Sequence, residues 1–194
     1  FMSKFFWDVK EKLYRIFRYR FPFHCIIQQE NNNIERLLNS IGTNGKKIAD
    51  LGTGNGNALK FFEEAIESFG VDVTFSMLRR ARQLHPEVSM IQADAIRLPL
   101  QNRSVDIATA IGLSEYIKDI ELLLIEVHRI LKDNGHLLFT FSPFGITTIM
   151  RSMFGNRIYP RNLKQIEEIA KRMRFQVIRT EHSFMQWQVL LRKI

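Results

Sequence analysis

Three glycines alternate with small polar residues in Asp50-Leu51-Gly52-Thr53-Gly54-Asn55-Gly56, directly behind the apolar residues Ile48 and Ala49. A short apolar run that breaks into glycines reads as a buried strand handing over to a turn. Glycine there permits backbone angles closed to other residues and lets another group come within van der Waals reach of the chain. Tight strand-to-helix turns use the same residues. Two readings therefore stand at this point: a ligand lying against the loop, or a turn with no further role.

The rest of the chain repeats that handover. Residues 46–51 are the first strand, and 57–68 predict a helix carrying Leu59, Phe62, Ala65 and Ile66. Strands follow over 69–74, 88–94, 105–112 and 136–141. Between them lie a helix over 76–84, which stops before Pro86, and one over 119–131, which Asn134-Gly135 closes. Short apolar strands alternating with helices argue for a parallel sheet covered on both faces. The rhythm then changes. Asn162 and Gln165 make a capping pair for a helix running to Met173, and 175–184 and 186–194 are consecutive strands. Strands joined so tightly pair antiparallel, so the last strand is expected to enter the sheet antiparallel.

Upstream, 4–20 predict an amphipathic helix with Phe5, Phe6, Val9, Leu13, Ile16 and Phe17 on one face, and 28–38 a second helix closed near Gly42. The expectation is a single α/β domain over 1–194. It has a helical N-terminal cap (1–42), a core of alternating strands and helices (46–142), and a last segment (143–194) holding an insertion, the last helix and an antiparallel hairpin.

Acidic residues close successive strands. Asp50 ends the first. Asp72 ends the second, where α/β nucleotide sites place a carboxylate on ribose hydroxyls. The hydroxyls donate and an ionised carboxylate accepts; the competing role is a charge at the start of the next helix. Asp94, beside Ala95, ends the third strand, where a carboxylate can accept from an exocyclic amine and the backbone N–H of residue 95 can meet a ring nitrogen. Asp106 begins the fourth strand and reads as a solvated strand-end residue. Dinucleotide sites use G-x-G-x-x-G, spaced to seat a pyrophosphate on a helix N-terminus. Here the spacing is G-x-G-x-G with an aspartate two residues ahead. That acid repels a pyrophosphate and suits a cationic amino-acid tail. The pattern G-x-x-x-x-G-K-S/T of a P-loop is missing.

The 194 residues, 45% hydrophobic, suffice for one full core. No apolar run approaches the ~20 residues a bilayer span needs. The opening run mixes charges with aromatics and offers no small-residue cleavage site, so a secretory signal is not expected. The single Cys25 allows no internal disulfide and fits a reducing, cytoplasmic setting. The net charge of +8 concentrates at the two ends of the chain around a mildly acidic middle. That suits an anionic partner such as a phosphorylated metabolite, a lipid headgroup or a nucleic acid, or else a solvated basic surface. The five histidines are scattered with no pair four residues apart, so no metal site is indicated.

At this level of detail the chain resembles a known family. Asp50 to Gly56 matches the D/E-x-G-x-G-x-G motif of class I S-adenosylmethionine-dependent methyltransferases. Residues 69–82 (FGVDVTFSMLRRAR) resemble their second-strand segment, 91–110 (IQADAIRLPLQNRSVDIATA) the run through strands three and four, and 128–143 (HRILKDNGHLLFTFSP) the helix, turn and strand five. The likeness covers roughly 46–142. It is nearest to the small, metal-independent members that include quinone-biosynthesis and lipid-like small-molecule methyltransferases. It implies a Rossmann-like doubly wound sheet, mostly parallel with an antiparallel last strand, plus an N-terminal helical extension. It also implies S-adenosylmethionine as methyl donor, S-adenosylhomocysteine as product, and no metal.

The resemblance further implies roles. Asp50 anchors the methionine amino group. Gly52, Thr53, Gly54 and Gly56 admit the methionine portion and ribose, and Asp72, with Val73 beside it, holds the ribose hydroxyls. Met77, or the neighbouring Phe75, lies against adenine, whose edge meets Asp94 and Ala95. Ala110, Ile111, Gly112 and Leu113 pass near the methionine portion and the methyl group.

Methyl transfer is an in-line displacement on an activated donor, so the protein mainly aligns the nucleophile. A general base helps only where the acceptor must lose a proton. Glu115 and Tyr116 occupy the stretch where relatives present acceptor-side residues, and quinone-type relatives often carry histidines there. Either these two orient an amine or hydroxyl of the acceptor, or they are a helix-start acid and a core tyrosine. The acceptor pocket is expected between residues 1–40 and the insertion after strand five, both basic and rich in Phe, Met, Ile and Tyr. That composition suits a small acceptor, apolar in part and anionic or lipid-like in part. The helix over 4–20 is either a lid or a peripheral membrane contact. One alternative is an RNA methyltransferase with Arg151, Arg157, Arg161, Lys171, Arg172 and Arg174 as a phosphate track. It lacks any recognisable RNA-binding module, so a nucleic acid is not the expected partner. The other is a non-catalytic cofactor-binding or interaction domain, against which the intact Asp50, Asp72 and Asp94 speak.

Overall fold

Residues 23–153 and 157–194 are described by a computed structural model of the chain. The expected helix over 4–20, and any membrane contact through it, lies outside the described residues. The strands are β1 (Lys47–Leu51), β2 (Glu67–Asp72), β3 (Ser89–Gln92), β4 (Val105–Ala110), β5 (Leu131–Phe141), β6 (Phe175–His182) and β7 (Trp187–Lys193). The helices are α1 (Phe23–Asn39), α2 (Phe75–Leu84), α3 (Ile120–Ile130), α4 (Ile146–Met153) and α5 (Leu163–Arg172). The strands form one sheet in the order β3-β2-β1-β4-β5-β7-β6. β1 to β5 pair parallel and β7 runs antiparallel to both its neighbours, as the hairpin in the sequence required.

Side-chain alternation divides the core between the two faces of this sheet. Ala49, Ala108, Leu137 and Leu191 pack with α3 and with Ile166 and Ala170 of α5. Ile48, Ile107, Leu138 and Leu190 pack on the other side with Ile34, Leu37 and Leu38 of α1. Both faces of the central strands are covered, which is why β1 and β4 read as almost unbroken apolar runs.

Two expected elements fold differently. The helix expected over 57–68 shrinks to a single 3-10 turn, Leu59–Phe62. The last two residues of that expected helix, Glu67 and Ser68, pair instead with Lys47 and Ile48 of β1, so the sheet claims the backbone that a helix would have used. Ile66, expected on the apolar face of that helix, is exposed. Asn134-Gly135 does not close α3, which ends at Ile130 with Leu131 already extended. These two residues instead form a kink inside β5: Asn134 takes a φ of 59°, and a Cβ on Gly135 would lie 3.0 Å from the carbonyl oxygen of Asp106. α1 starts five residues earlier than the sequence pattern indicated (Phe23 rather than 28). α5 begins with the expected capping box, Asn162 and Gln165 satisfying each other's backbone N–H groups.

Candidate active site

Strand order reverses between β1 and β4, and the loops after their carboxyl ends leave a crevice there, the place where open α/β sheets bind ligands. A cavity of about 500 Å³ occupies it. Its wall includes Asp50, Gly52, Thr53, Gly54, Asp72, Val73, Met77, Asp94, Ala95, Ile111, Gly112, Glu115 and Tyr116. Leu113 lines it too, so folding brings together fourteen of the seventeen residues singled out from the sequence.

The other three lie off the wall. Gly56 is not on the cavity wall: it takes a φ of 81° and turns back onto the fold, where a Cβ would meet the His85 ring at 2.9 Å and Leu59 at 3.1 Å. Ala110 is fully buried within the sheet and is likewise not on the wall. Of the two residues considered for adenine, Met77 lines the cavity whereas Phe75 is exposed away from it.

The strand-end acids differ in environment. Asp50 is 2% exposed and accepts a hydrogen bond from the Thr109 hydroxyl at 2.6 Å. Burial pushes its carboxyl up to about 6, against the lowering effect of that hydroxyl. Asp72 accepts from the Gly54 N–H at 2.9 Å and the Thr74 N–H at 2.8 Å, one on each oxygen. It thereby ties the glycine loop to β2 while a lone pair on each oxygen stays open to a hydroxyl donor. Asp94 accepts from the Ile96 N–H at 3.1 Å, which folds the chain into a tight turn beside the cavity.

The loop itself fits a ligand. Gly52 and Gly54 have φ values of 69° and 53°. A Cβ on Gly54 would meet nothing nearer than a backbone oxygen at 4.0 Å, so that side of the loop is bare toward the cavity. Asn55, also on the wall, has a buried side-chain oxygen with no hydrogen-bond partner among the described residues. Among the described residues no three His, Cys, Asp or Glu side chains converge to hold a metal ion.

Beyond the loop the wall is built from a second set of elements. Glu115 and Tyr116 lie in a 3-10 turn, Ser114–Tyr116, after β4. Glu115 is 1% exposed and ion-paired with Arg151 of α4, and its second oxygen accepts from the Ser142 hydroxyl at 2.7 Å. Arg151 also donates to Ser142 at 2.9 Å. Burial and the neighbouring Glu115 push the Tyr116 hydroxyl up to about 12, so it remains a protonated donor. α1 adds Ile27, Glu30, Asn31 and Ile34, and the β6–β7 turn adds Met185 and Gln186.

Arg151 and Glu30 were not recognised from the sequence as lining a pocket. Arg151 looked like one of several surface cations in a basic insertion. Glu30 carried a readable signal: it falls on the apolar face of α1, between Ile27 and Ile34 at helical spacing, where a solvated acid has no place. The basic track considered for RNA does not form a continuous surface. Arg151 is consumed by Glu115, and Arg161, 8% exposed, donates to the carbonyls of Ser114, Tyr159, Ile117 and Lys118.

With that geometry in view, the likenesses to known proteins are specific. Residues 49–139 match a family described as "Methyltransferase domain". A malonyl-acyl-carrier-protein O-methyltransferase from Marinomonas sp. (strain MWYL1) is 32% identical over 132 residues, covering 63% of this chain and 48% of the relative. A phthiotriol/phenolphthiotriol dimycocerosates methyltransferase from Mycobacterium leprae is 26% identical, covering 56% and 42%. The chain thus spans about half the length of the curated relatives it matches. Among solved structures, magnesium protoporphyrin IX methyltransferase from Synechocystis PCC 6803, with bound SAH, superposes with a TM-score of 0.80 over 98% of this chain and 95% of that one. At 14% identity that likeness concerns the fold.

Proposed function

We propose that this chain, which belongs to the class I S-adenosylmethionine-dependent methyltransferase family, moves a methyl group to an O, N or C nucleophile of a small, partly apolar acceptor. The observation that carries this reading is the convergence of Asp50, Asp72, Asp94 and the bare face of the glycine loop on one cavity at the strand-order reversal. Asp50 would hold the donor's amino group, Asp72 the ribose hydroxyls, and Asp94 with Ala95 the adenine edge. The bound donor supplies an activated methyl group. The rest of the work is alignment, for which a walled cavity with fixed polar groups is suited.

The names of the relatives, an acyl-carrier-protein O-methyltransferase and a dimycocerosates methyltransferase, support an acceptor with an apolar body. So do the apolar side chains of Ile27, Phe61 and Met185 on the cavity wall. The RNA reading is weakened because two of its cations are spent inside the fold.

Calorimetric titration with S-adenosylhomocysteine tests the reading. Binding in the micromolar range is expected for the wild type. Asp72→Ala, which removes an acceptor for two donated hydroxyls and frees the glycine loop, is expected to weaken it ~100-fold. A folded wild-type sample that binds no S-adenosylhomocysteine would sink the proposal.

A further inference from the structure

Glu30 is an acid in the wrong place for a surface helix. It is 7% exposed and faces the same cavity as Asp50 and the glycine loop. One carboxylate oxygen lies 3.0 Å from the Ser183 hydroxyl, but that hydroxyl also lies 2.9 Å from the Gln186 carbonyl. A serine has a single proton to give, so it divides its donation between Glu30 and that carbonyl; the other partner of Glu30 is the Gln186 side chain, which is also neutral. Among the described residues no cation lies within ion-pairing distance of it. The nearby guanidinium of Arg151 is already joined to Glu115 and Ser142. The acceptor end of the wall therefore presents two carboxylates against one guanidinium, and the unpaired carboxylate is Glu30.

We infer that Glu30 selects the methyl acceptor. It receives a hydrogen bond from a proton-donating head group, an alcohol, phenol or amine on an apolar body, and rejects a carboxylate. This inference rests on the methyltransferase reading above and names the substrate class for the same cavity. An anionic head group brought beside Glu30 meets like charge in a water-poor space, with Arg151 already neutralised. A hydroxyl or ammonium adds a donor to the two neutral ones, Ser183 and Gln186, that the fold supplies, and an ammonium adds the charge that neither carries. Burial drives the Glu30 carboxyl upward, against the lowering effect of its neutral partners Gln186 and Ser183. Ile27, Phe61 and Met185 give the apolar body its contacts. The malonyl-type relative, named for an acyl-carrier-protein substrate, would then differ from this chain in what its acceptor site reads.

The test uses para-pentylphenol, hexylamine and hexanoic acid, each titrated calorimetrically into the full chain saturated with S-adenosylhomocysteine. The phenol or the amine is expected to bind at least ~10-fold more tightly than hexanoic acid at neutral pH, a difference of ~1.4 kcal/mol. Glu30→Gln, which keeps the shape and removes the charge, is expected to shrink that ratio below ~3-fold by improving the fit of hexanoic acid. Its unfolding midpoint shows whether the variant is folded. Hexanoic acid binding as well as the others, or an unchanged ratio in the variant, overturns the inference. So does failure of both the phenol and the amine to bind a protein that holds S-adenosylhomocysteine. Failure to bind S-adenosylhomocysteine itself would instead sink the methyltransferase reading, and the two failures are told apart in the first titration.

Discussion

Asp50 and Thr109 are direct partners across the β1–β4 pair, and the threonine hydroxyl donates to the carboxylate at 2.6 Å. The pair sits where strand order reverses, so the acid proposed to hold the donor's ammonium group is built into the sheet, not carried on a loop. A sheet position fixes the carboxylate but also strips it of water. Its pKa rises from an ordinary 3.8 to about 6 as a result.

The first prediction follows from that sign. The ionised form of Asp50 binds an ammonium group, so affinity for S-adenosylhomocysteine is expected to fall ~10-fold per pH unit below about 6. Stability behaves oppositely for this group. Its folded pKa lies above its unfolded value, so ionising it across pH 4 to 6 subtracts on the order of 3 kcal/mol from the unligated fold. Thr109→Val removes the hydroxyl that most eases ionisation, leaving that of Thr53, and should move the binding limb to higher pH. Titrations from pH 5 to 8 would show it, and a flat profile would remove Asp50 from the ammonium site.

Gly54 and Gly56 should separate ligand from fold. Both have positive φ, so alanine costs about 1 kcal/mol of backbone strain at either position. At Gly56 the new methyl also strikes His85 and Leu59, and Gly56→Ala is expected to lose ~2–3 kcal/mol in urea unfolding. At Gly54 the methyl meets open cavity, so Gly54→Ala should lose only the strain yet weaken S-adenosylhomocysteine at least ~10-fold. Equal effects of both variants on binding would mean the loop does not face the ligand as described.

The residues proposed to hold the cofactor were legible in the sequence because their signals are local. Glycine spacing and strand-end acids are set by a few neighbouring residues, and so is the Asn162–Gln165 capping box. The misreadings came where tertiary pairing overrode local preference. The Leu59–Phe62 region has helical periodicity, yet β1 captured Glu67 and Ser68 for the sheet; Asn134-Gly135 looks like a helix cap, yet β5 used it as a kink. The end of the cavity proposed for the acceptor was less legible for a different reason. Glu115, Arg151 and Ser142 lie on three separate segments, and only folding shows that two apparent surface charges cancel each other.

That cancellation can be measured. Breaking a buried ion pair from one side leaves an unpaired charge, and Glu115→Gln or Arg151→Met alone is expected to cost ~2–4 kcal/mol. Arg151 is partly exposed, so its own removal should fall at the low end. The double variant should cost less than the sum of the singles by at least ~1 kcal/mol. Additivity in a urea-unfolding cycle would show that the pair contributes no coupling and that Glu115 is available to a substrate.

Arg161 carries the last prediction, because it shapes the turn on which Glu115 and Tyr116 sit. Its guanidinium is buried and spreads over four backbone carbonyls, of Ser114, Ile117, Lys118 and Tyr159, while its own N–H bonds Ser142 at 3.0 Å. Three of those carbonyls belong to the 3-10 turn and its exit, and the fourth to the segment that closes over it. A planar fork matches that spread of acceptors and a single ammonium does not. Arg161→Met strands the carbonyls and is expected to cost ~3 kcal/mol, with Arg161→Lys regaining less than half. Full recovery by lysine would mean that the charge beside Glu115 and Asp119 matters and the fork does not. Incomplete recovery, together with near-normal S-adenosylhomocysteine binding, would place the damage in the acceptor half of the cavity, where the turn lies.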